Sequence, residues 1–428
     1  MARDRVRHQK FQGQHMNRRG CKQLSGSTAV MLMLALPMAA GSSSAMAAEA
    51  ATVAEALGTG KTTLNLRIRS EYVDDEALAR TANAATVRSR LSYNSAAWQG
   101  LDLALELDHV AHIANDRFNT TRNGKPFYPQ VPDPDGADLN QANIRYRQGD
   151  ISLTLGRQRI NRDNQRFVGG VAWRQNEQTF DAISGSWKVS DKLQLDYAWI
   201  DDTKRIFGPD KGTPPASLAS AHHLFNAAWQ LSPTLRAAAY YYALEFEDVA
   251  ALSSTTAGVF VQGNMALESA TLDYRAELAT QRDHANNPSN YRARYLHATA
   301  GVTVNATRMA LSHEILGADS RATVALQTPL ATLHAFQGWA DKFLTTPGTG
   351  LKDTWLSLAH KVGKVDLQVA VHDYRSDRGN SDFGQEWNLQ ASTPLNSAVT
   401  LTAKLADYRA DRFARDARKF WLMAEARF

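Results

Sequence analysis

Lys419-Phe420-Trp421-Leu422-Met423-Ala424-Glu425-Ala426-Arg427-Phe428 is the stretch on which the fold turns. One phase is Phe420, Leu422, Ala424, Ala426 and Phe428; the other is Trp421, Met423, Glu425 and Arg427. Successive side chains on an extended strand point to opposite faces, so this segment predicts a strand with one apolar and one polar side. The same alternation recurs upstream. Leu64, Leu66 and Ile68 interleave with Asn65, Arg67 and Arg69, and Leu101, Leu103, Leu105 and Leu107 with Asp102, Glu106 and Asp108. Leu272, Tyr274, Ala276 and Leu278 interleave with Asp273, Arg275 and Glu277, and Val365, Leu367, Val369 and Val371 with Asp366, Gln368 and His372. In these windows the apolar phase carries almost no charge. An Arg or Lys on a lipid-facing strand at the bilayer midplane costs about 2–4 kcal/mol, so such a face suits contact with lipid.

The pattern predicts eighteen strands: 62–72, 86–97, 101–110, 139–147, 151–158, 179–189, 192–201, 221–231, 234–245, 256–266, 270–280, 292–304, 306–316, 353–362, 364–374, 382–393, 398–408 and 418–428. Short connections such as Gln148-Gly149-Asp150, Ser232-Pro233, Asn305 and Gly363 alternate with long ones at 111–138, 159–178, 202–220, 281–291, 317–352 and 409–417. A soluble sandwich has no reason to gather its long loops at one end. A transmembrane barrel does, with short periplasmic turns and long extracellular loops. The terminal strand ending on Phe428 resembles the closing strand of bacterial outer-membrane barrels. The expected fold is therefore all-β, an antiparallel up-and-down transmembrane barrel of about 18 strands over residues 61–428. Both ends of the barrel should lie in the periplasm and the lumen should be aqueous. No run of about 18 apolar residues occurs, so hydropathy predicts no membrane helix.

The N-terminal region is of a different kind. Arg3, Arg5, Arg7, Lys10, Arg18, Arg19 and Lys22 precede an apolar run from Ala29 to Ala40, followed by Ala45-Met46-Ala47. This predicts a cleaved signal peptide over 1–48, with a short periplasmic segment over 49–60. The leader carries seven Lys/Arg and one acid, more than the chain's whole net charge of +5. The remainder is close to neutral, so its charge gives no case for nucleic-acid binding. The single cysteine, Cys21, also lies in the leader, so no disulfide or thiolate site is expected in the barrel.

Several motifs fail on context. Gly58-Thr59-Gly60-Lys61-Thr62-Thr63 lacks the leading glycine of a phosphate loop, and a strand follows it directly. Ser312-His313-Glu314 suggests a hydrolase, but neighbours on a strand face opposite ways and position 317 is Gly, not the second His of a zinc motif. His222-His223 reads as two loop-edge residues. Asp133-Pro134-Asp135-Gly136-Ala137-Asp138 lacks calcium-loop spacing and reads as a solvated external loop. No catalytic residue, metal or cofactor is expected.

The arginines are the candidate site. Arg67, Arg69, Arg88, Arg90, Arg145, Arg147 and Arg275 fall on the polar phase of their strands, with Glu71, Asp102, Glu106, Asp108, Asp273 and Glu277. Segment 156–178 adds Arg157, Arg159, Arg162, Arg166 and Arg174 against Asp163 and Glu177. Rings of basic residues favour anions in pores, and the guanidinium fork suits carboxylates. The competing reading is a mixed-charge wall of mutually paired side chains. The pore-lining, anion-binding set is Arg67, Arg69, Arg88, Arg90, Arg145, Arg147, Arg157, Arg159, Arg166, Arg174 and Arg275. Leu333, Phe336, Ala340, Phe343 and Leu344 recur at helical spacing and predict a short helix over or within the barrel mouth.

Two blocks resemble the alginate-export family of outer-membrane proteins. The first runs through Leu155-Gly156-Arg157-Gln158-Arg159, Asp163-Asn164-Gln165-Arg166-Phe167-Val168-Gly169 and Trp173-Arg174-Gln175-Asn176-Glu177-Gln178-Thr179-Phe180-Asp181-Ala182. The second is Thr328-Pro329-Leu330-Ala331-Thr332-Leu333-His334-Ala335-Phe336-Gln337-Gly338-Trp339-Ala340-Asp341-Lys342-Phe343. The resemblance implies an eighteen-stranded monomeric barrel whose arginine-rich pore passes an anionic uronate polymer. The long periplasmic loop of alginate exporters has no counterpart here, since every periplasmic turn is short, including Pro394 to Ser397. The expected function is thus a passive bacterial outer-membrane channel, not an enzyme, for an anionic small molecule or acidic polysaccharide. A general porin of low selectivity is the second reading and an enzyme on a barrel scaffold the third. The implied partners are membrane lipid, lipopolysaccharide and the barrel assembly machinery, with no nucleic acid.

Overall fold

The alternation produces one continuous sheet, seen in a computed structural model that describes residues 49–114 and 116–428. The leader read at 1–48 lies outside the described residues. A six-residue helix, α1 (Val53–Gly58), is capped by the Thr52 hydroxyl, which accepts from the Glu55 amide at 3.1 Å. Gly58 to Thr63 therefore runs from helix into strand, the reverse of the order a phosphate loop requires.

All eighteen predicted strands are present, with ends displaced by a few residues. The first half comprises β1 (Lys61–Asp75), β2 (Ala82–Asn94), β3 (Leu101–His112), β4 (Gly136–Gln148), β5 (Ile151–Gln158), β6 (Thr179–Lys188), β7 (Leu193–Lys204), β8 (Ser217–Ser232) and β9 (Leu235–Leu244). The second comprises β10 (Ser254–Ala266), β11 (Thr271–Asp283), β12 (Arg292–Val304), β13 (Thr307–Leu316), β14 (Leu351–Val362), β15 (Val365–Arg375), β16 (Asp382–Pro394), β17 (Val399–Ala410) and β18 (Ala417–Arg427). Each strand pairs antiparallel with its sequence neighbours, and β1 pairs with both β2 and β18, which closes the ring. At this seam Arg67 lies opposite Glu425, and its Nε donates to the carboxylate at 3.0 Å. Closure leaves no open edge of unpaired backbone groups, as a membrane-spanning sheet requires.

Burial is inverted relative to a soluble protein. On β1 the polar phase, Asn65, Arg67, Arg69 and Glu71, is buried, while Ile68 between them is 51% exposed. Leu155, Leu278, Leu311 and Trp387 are likewise more than half exposed. These side chains form the lipid-facing band. Leu311→Arg is expected to cost about 2–4 kcal/mol at such a site. Reversible unfolding in detergent or lipid checks this, and Ser312→Ala, on the other face, serves as the mild control.

The lumen is not simply aqueous. At the long-loop end, loops 159–178 and 317–350 turn inward and pack against lumenal aromatics. Phe167 sits among Tyr240, Tyr242 and Tyr295, with ring centroids 5.2–6.3 Å away. Phe343 sits against Tyr374, Phe383 and Phe413. A barrel this wide cannot fill its interior with strand side chains alone, and here the loops supply the missing volume.

Two local expectations are corrected. The helical spacing at 333–344 yields only one 3-10 turn, Leu333–Ala335, because the segment contacts different walls on several sides rather than one. The Asp133 loop is not solvated: Asp133 is fully buried, pairing with Arg69 and accepting from the Gln175 amide at 2.8 Å.

Candidate functional site

The two inward loops are stitched to each other. Val168 and Leu330 form a parallel bridge, and the Gly169 amide donates to the Leu330 carbonyl at 2.8 Å. The Thr332 hydroxyl donates to Gln165 at 2.6 Å and accepts from the Val171 amide at 3.1 Å. The Gln178 amide group donates to the carbonyls of both Gly169 and Leu330. The two sequence blocks singled out above, more than a hundred residues apart, thus form one plug.

The wall holds this plug with charge. Arg166, fully buried, donates to Glu314 on β13 at 2.6 Å and to the Thr328 hydroxyl at 3.0 Å, and lies over the Phe336 ring. Glu386 on β16 accepts from the amides of Trp339 and Ala340 at 2.5 and 2.8 Å. This approach depends on Gly338, whose φ is +76°. A side chain there would strike the Glu386 carboxylate and the Tyr374 hydroxyl. Asp341 pairs with Lys419 on β18 at 2.7 Å, and Lys342 with Asp75 on β1 at 2.9 Å. Burial opposes ionisation of Asp341, but Lys419, His334 and Arg174 outweigh it and hold its carboxyl well below the usual range. Lys404 on β17 reaches His334 Nε2 at 2.9 Å, with Trp173 and Trp339 rings 4.0 and 3.8 Å from its ammonium. Lysine can only donate, so His334 carries its proton on Nδ1, facing Asp341 at 2.8 Å.

Every predicted arginine but Arg157 is placed on the lumen side or in the plug. Arg157 follows Leu153 and Leu155 on the outward phase of β5, against Asp181 on the same face of β6, because strand alternation puts Gln158 rather than Arg157 inward. Every one but Arg88 has a carboxylate partner. Arg67 pairs with Glu425, Arg69 with Asp133, and Arg174 with Glu71 at 3.1 Å and Asp341 at 3.5 Å. Arg90 holds Asp108 through a two-pronged contact at 2.6 and 2.7 Å, and shares Glu106 and Glu177 with Arg159. Burial works against the Glu177 charge, yet Arg90 and Arg159 bring its carboxyl down to about 2. Arg145 and Arg147 share Asp102, Arg157 meets Asp181 at 2.8 Å, and Arg275 meets Glu277 at 2.6 Å and also Asp163. Arg88 is fully buried, lies opposite Arg67 in the register, and donates only to Asn65 at 2.5 Å. The paired-wall reading therefore describes most of this set.

Two cavities flank the plug. Toward the short-turn end, about 450 Å³ is lined by Arg236, Arg275 and Arg308 with Asp273. At the loop end, about 540 Å³ is lined by Arg174, Arg205, Lys342 and Lys419 with Asp75 and Asp341, among apolar side chains. Arg205, Arg236, Arg308, Lys342, Lys404 and Lys419 were absent from the predicted set. Arg236 and Arg308 share the phase rule that found Arg275, and that signal was available in the sequence.

The discarded motifs are accounted for. Ser312 faces inward and shares a 2.8 Å hydrogen bond with Thr299, whereas His313 bonds Thr354 on the outer face. His222 is buried and accepts from the Glu245 amide, while His223 meets Tyr197 on the opposite face. Among the described residues, no group of three or more His, Cys, Asp or Glu is placed to hold a metal ion.

Comparisons with known proteins agree with this architecture. The barrel is similar to Acinetobacter baumannii OccAB4 (TM-score 0.68, 13% identity, 86% of this chain and 98% of that one). It is similar to Pseudomonas aeruginosa OpdK, solved with vanillate (0.67, 13%, 87% and 99%), and to Pseudomonas aeruginosa OpdL (0.66, 18%, 87% and 99%). A comparison with curated protein sequences gives no match. The model of the alginate export family matches residues 61–312, from the first strand of the seam to the strand that carries Glu314. With a closed eighteen-strand barrel and a lumen plugged by its own long loops, the chain is an outer-membrane channel and belongs to the alginate export family.

Proposed function

We propose that the channel is passive, carries out no catalysis, and favours anionic solutes small enough to pass the plug. The observation that carries this reading is the charge of the two cavities. On both sides of the plug, basic side chains outnumber carboxylates: three to one in the inner cavity and four to two in the outer. Opposite the inner cavity, Arg145 and Arg147 share the single carboxylate of Asp102, and Arg147 is half exposed. Potentials from such clusters raise the local concentration of anions in a low-dielectric passage. A stitched plug and short inner turns favour organic acids, uronates or short acidic oligosaccharides over a long polymer. The vanillate bound to OpdK is one such small acid.

Reversal potentials in a salt gradient across a planar bilayer test the proposal. The wild type is expected to prefer anions, and Arg236→Gln with Arg308→Gln to lose much of that preference. These two guanidinium groups are over a third exposed, so the change acts on the lumen; Arg236 gives up one contact with Asp163 of the plug loop, which Arg275 still holds. Charge reversal at Arg166 or Arg174 is a poorer test, since both are buried anchors. The pairing of most lumenal arginines supports the alternative, a porin of low selectivity. Equal permeability for anions and cations would establish that alternative.

A further inference from the structure

Among the described residues, the outer cavity contains one cation without an intramolecular counter-charge. Arg174, Lys342 and Lys419 are each committed to carboxylates of the plug or wall. Arg205, just beyond β7, has no carboxylate within ion-pair reach among the described residues. Its backbone amide donates to the Ala216 carbonyl at 2.8 Å, and its Nη1 makes a long contact of 3.3 Å to the Pro215 carbonyl. The guanidinium stacks over Phe207 at 4.5 Å, and Arg122 lies over the same ring at 5.9 Å, fixed to the Pro214 carbonyl. Two arginines on one aromatic ring hold a concentrated positive charge in place. Burial, and secondarily Arg122, lower the Arg205 pKa to about 10, so it remains charged at neutral pH.

One wall of the cavity is apolar. Leu78, Ile206, Leu333, Leu344 and Tyr128 contribute its surface, with prolines from two loops between them, while Asn119, Gln130, Gln178 and Thr345 lie elsewhere on the lining. Prolines have no amide hydrogen to offer. A polyhydroxylated ring lying against this apolar wall would leave the hydroxyls on that side without partners. A solute with a hydrocarbon body leaves no hydroxyl unpartnered there and gains from the apolar surface removed from water.

We infer that this cavity is a binding site for a compact carboxylate with an aromatic or hydrocarbon body, its carboxylate held by Arg205 and its body against Leu78, Tyr128 and Leu333. The inference rests on the anion-preferring reading above and names the solute class it selects. It also separates this vestibule from the uronate chemistry of the family's name.

The test is blockade of current through the full-length folded channel in a planar bilayer. The probes are benzoate, gluconate and benzyl alcohol, at equal concentrations on the loop side. Benzoate is expected to reduce current with saturation, gluconate to need at least about tenfold more for the same effect, and benzyl alcohol to have none. Arg205→Gln is expected to raise the half-blocking benzoate concentration about tenfold or more, the loss of one charged hydrogen-bonded contact. Its heat-modifiable gel migration should be unchanged, as a check on folding. A Leu333→Asn variant should weaken benzoate and leave gluconate as it was. Equal blockade by benzoate and gluconate in an anion-preferring channel would overturn this site and spare the proposed function. Arg205-dependent benzoate blockade in a channel without anion preference would do the reverse.

Discussion

Replacing residues 329–343 with a short Gly-Ser linker is expected to raise single-channel conductance several-fold. This segment contributes Leu330, Thr332, His334, Gln337, Asp341 and Phe343, the residues that bind the plug to the other loop and to the wall. The barrel itself is held by ladders running through all eighteen strands, none of which includes the deleted segment. Lys404, Lys419, Arg174 and Glu386 would lose their plug partners. In the widened channel they would face water rather than protein, so the large penalty for a buried unpaired charge does not apply. Heat-modifiable migration should therefore persist while conductance rises. An unchanged conductance in a folded variant would show that ions take a route the plug does not obstruct.

The second large effect concerns pH. His334 is buried between Lys404, Asp341 and the Trp173 ring, with Lys419 and Arg174 on the far side of Asp341. Burial, and next the Lys404 charge, depress its pKa to about 3. A released loop would titrate near the ordinary value of about 6.5. As pH falls below that value the released state gains a proton that the docked state refuses, so docking weakens progressively down to about pH 3. Asp341 acts later. Its docked carboxyl titrates well below its ordinary value, so its contribution is complete above about pH 4 and is lost only under stronger acid. Conductance and current noise should rise between pH 6.5 and 4.5 in the wild type. A His334→Gln variant lacks the imidazole, though Asp341, Lys404 and Glu386 remain around the plug, and should show a clearly weaker response in that window. The same acid response in both would place the sensor elsewhere.

The strands were legible in the sequence because lipid imposes a rule on every second residue. Ile68, Leu278 and Leu311 keep to one phase without exception, and Arg67, Arg275 and Arg308 to the other. The seam pairing of the terminal strand with the first followed from strand count alone. The plug obeys no such local rule. Arg166 finds its carboxylate 148 positions away at Glu314, and Arg174 finds Glu71 103 positions back. Neither partner is inferable without the closed barrel that brings them together. Asp133 read as solvated because Pro, Asp and Gly surround it, which is the composition of any turn, buried or not. The helical spacing at 333–344 misled for a related reason. Apolar residues there answer to separate patches on the loops and wall, and the resulting interval matched a helix by coincidence.

The plug's ionic contacts have a mechanical consequence. Each adjacent pair of strands is joined by a hairpin, except β1 and β18, which meet through backbone hydrogen bonds and the contacts of Arg67 and Asn65 with Glu425. That joint is the line along which a barrel under lateral tension would unzip. Asp341 grips Lys419 on one side of it and Lys342 grips Asp75 on the other, from consecutive residues of a single loop. The segment that narrows the passage is therefore also a rivet across the joint, and loosening it should lower the force needed to part the first strand from the last.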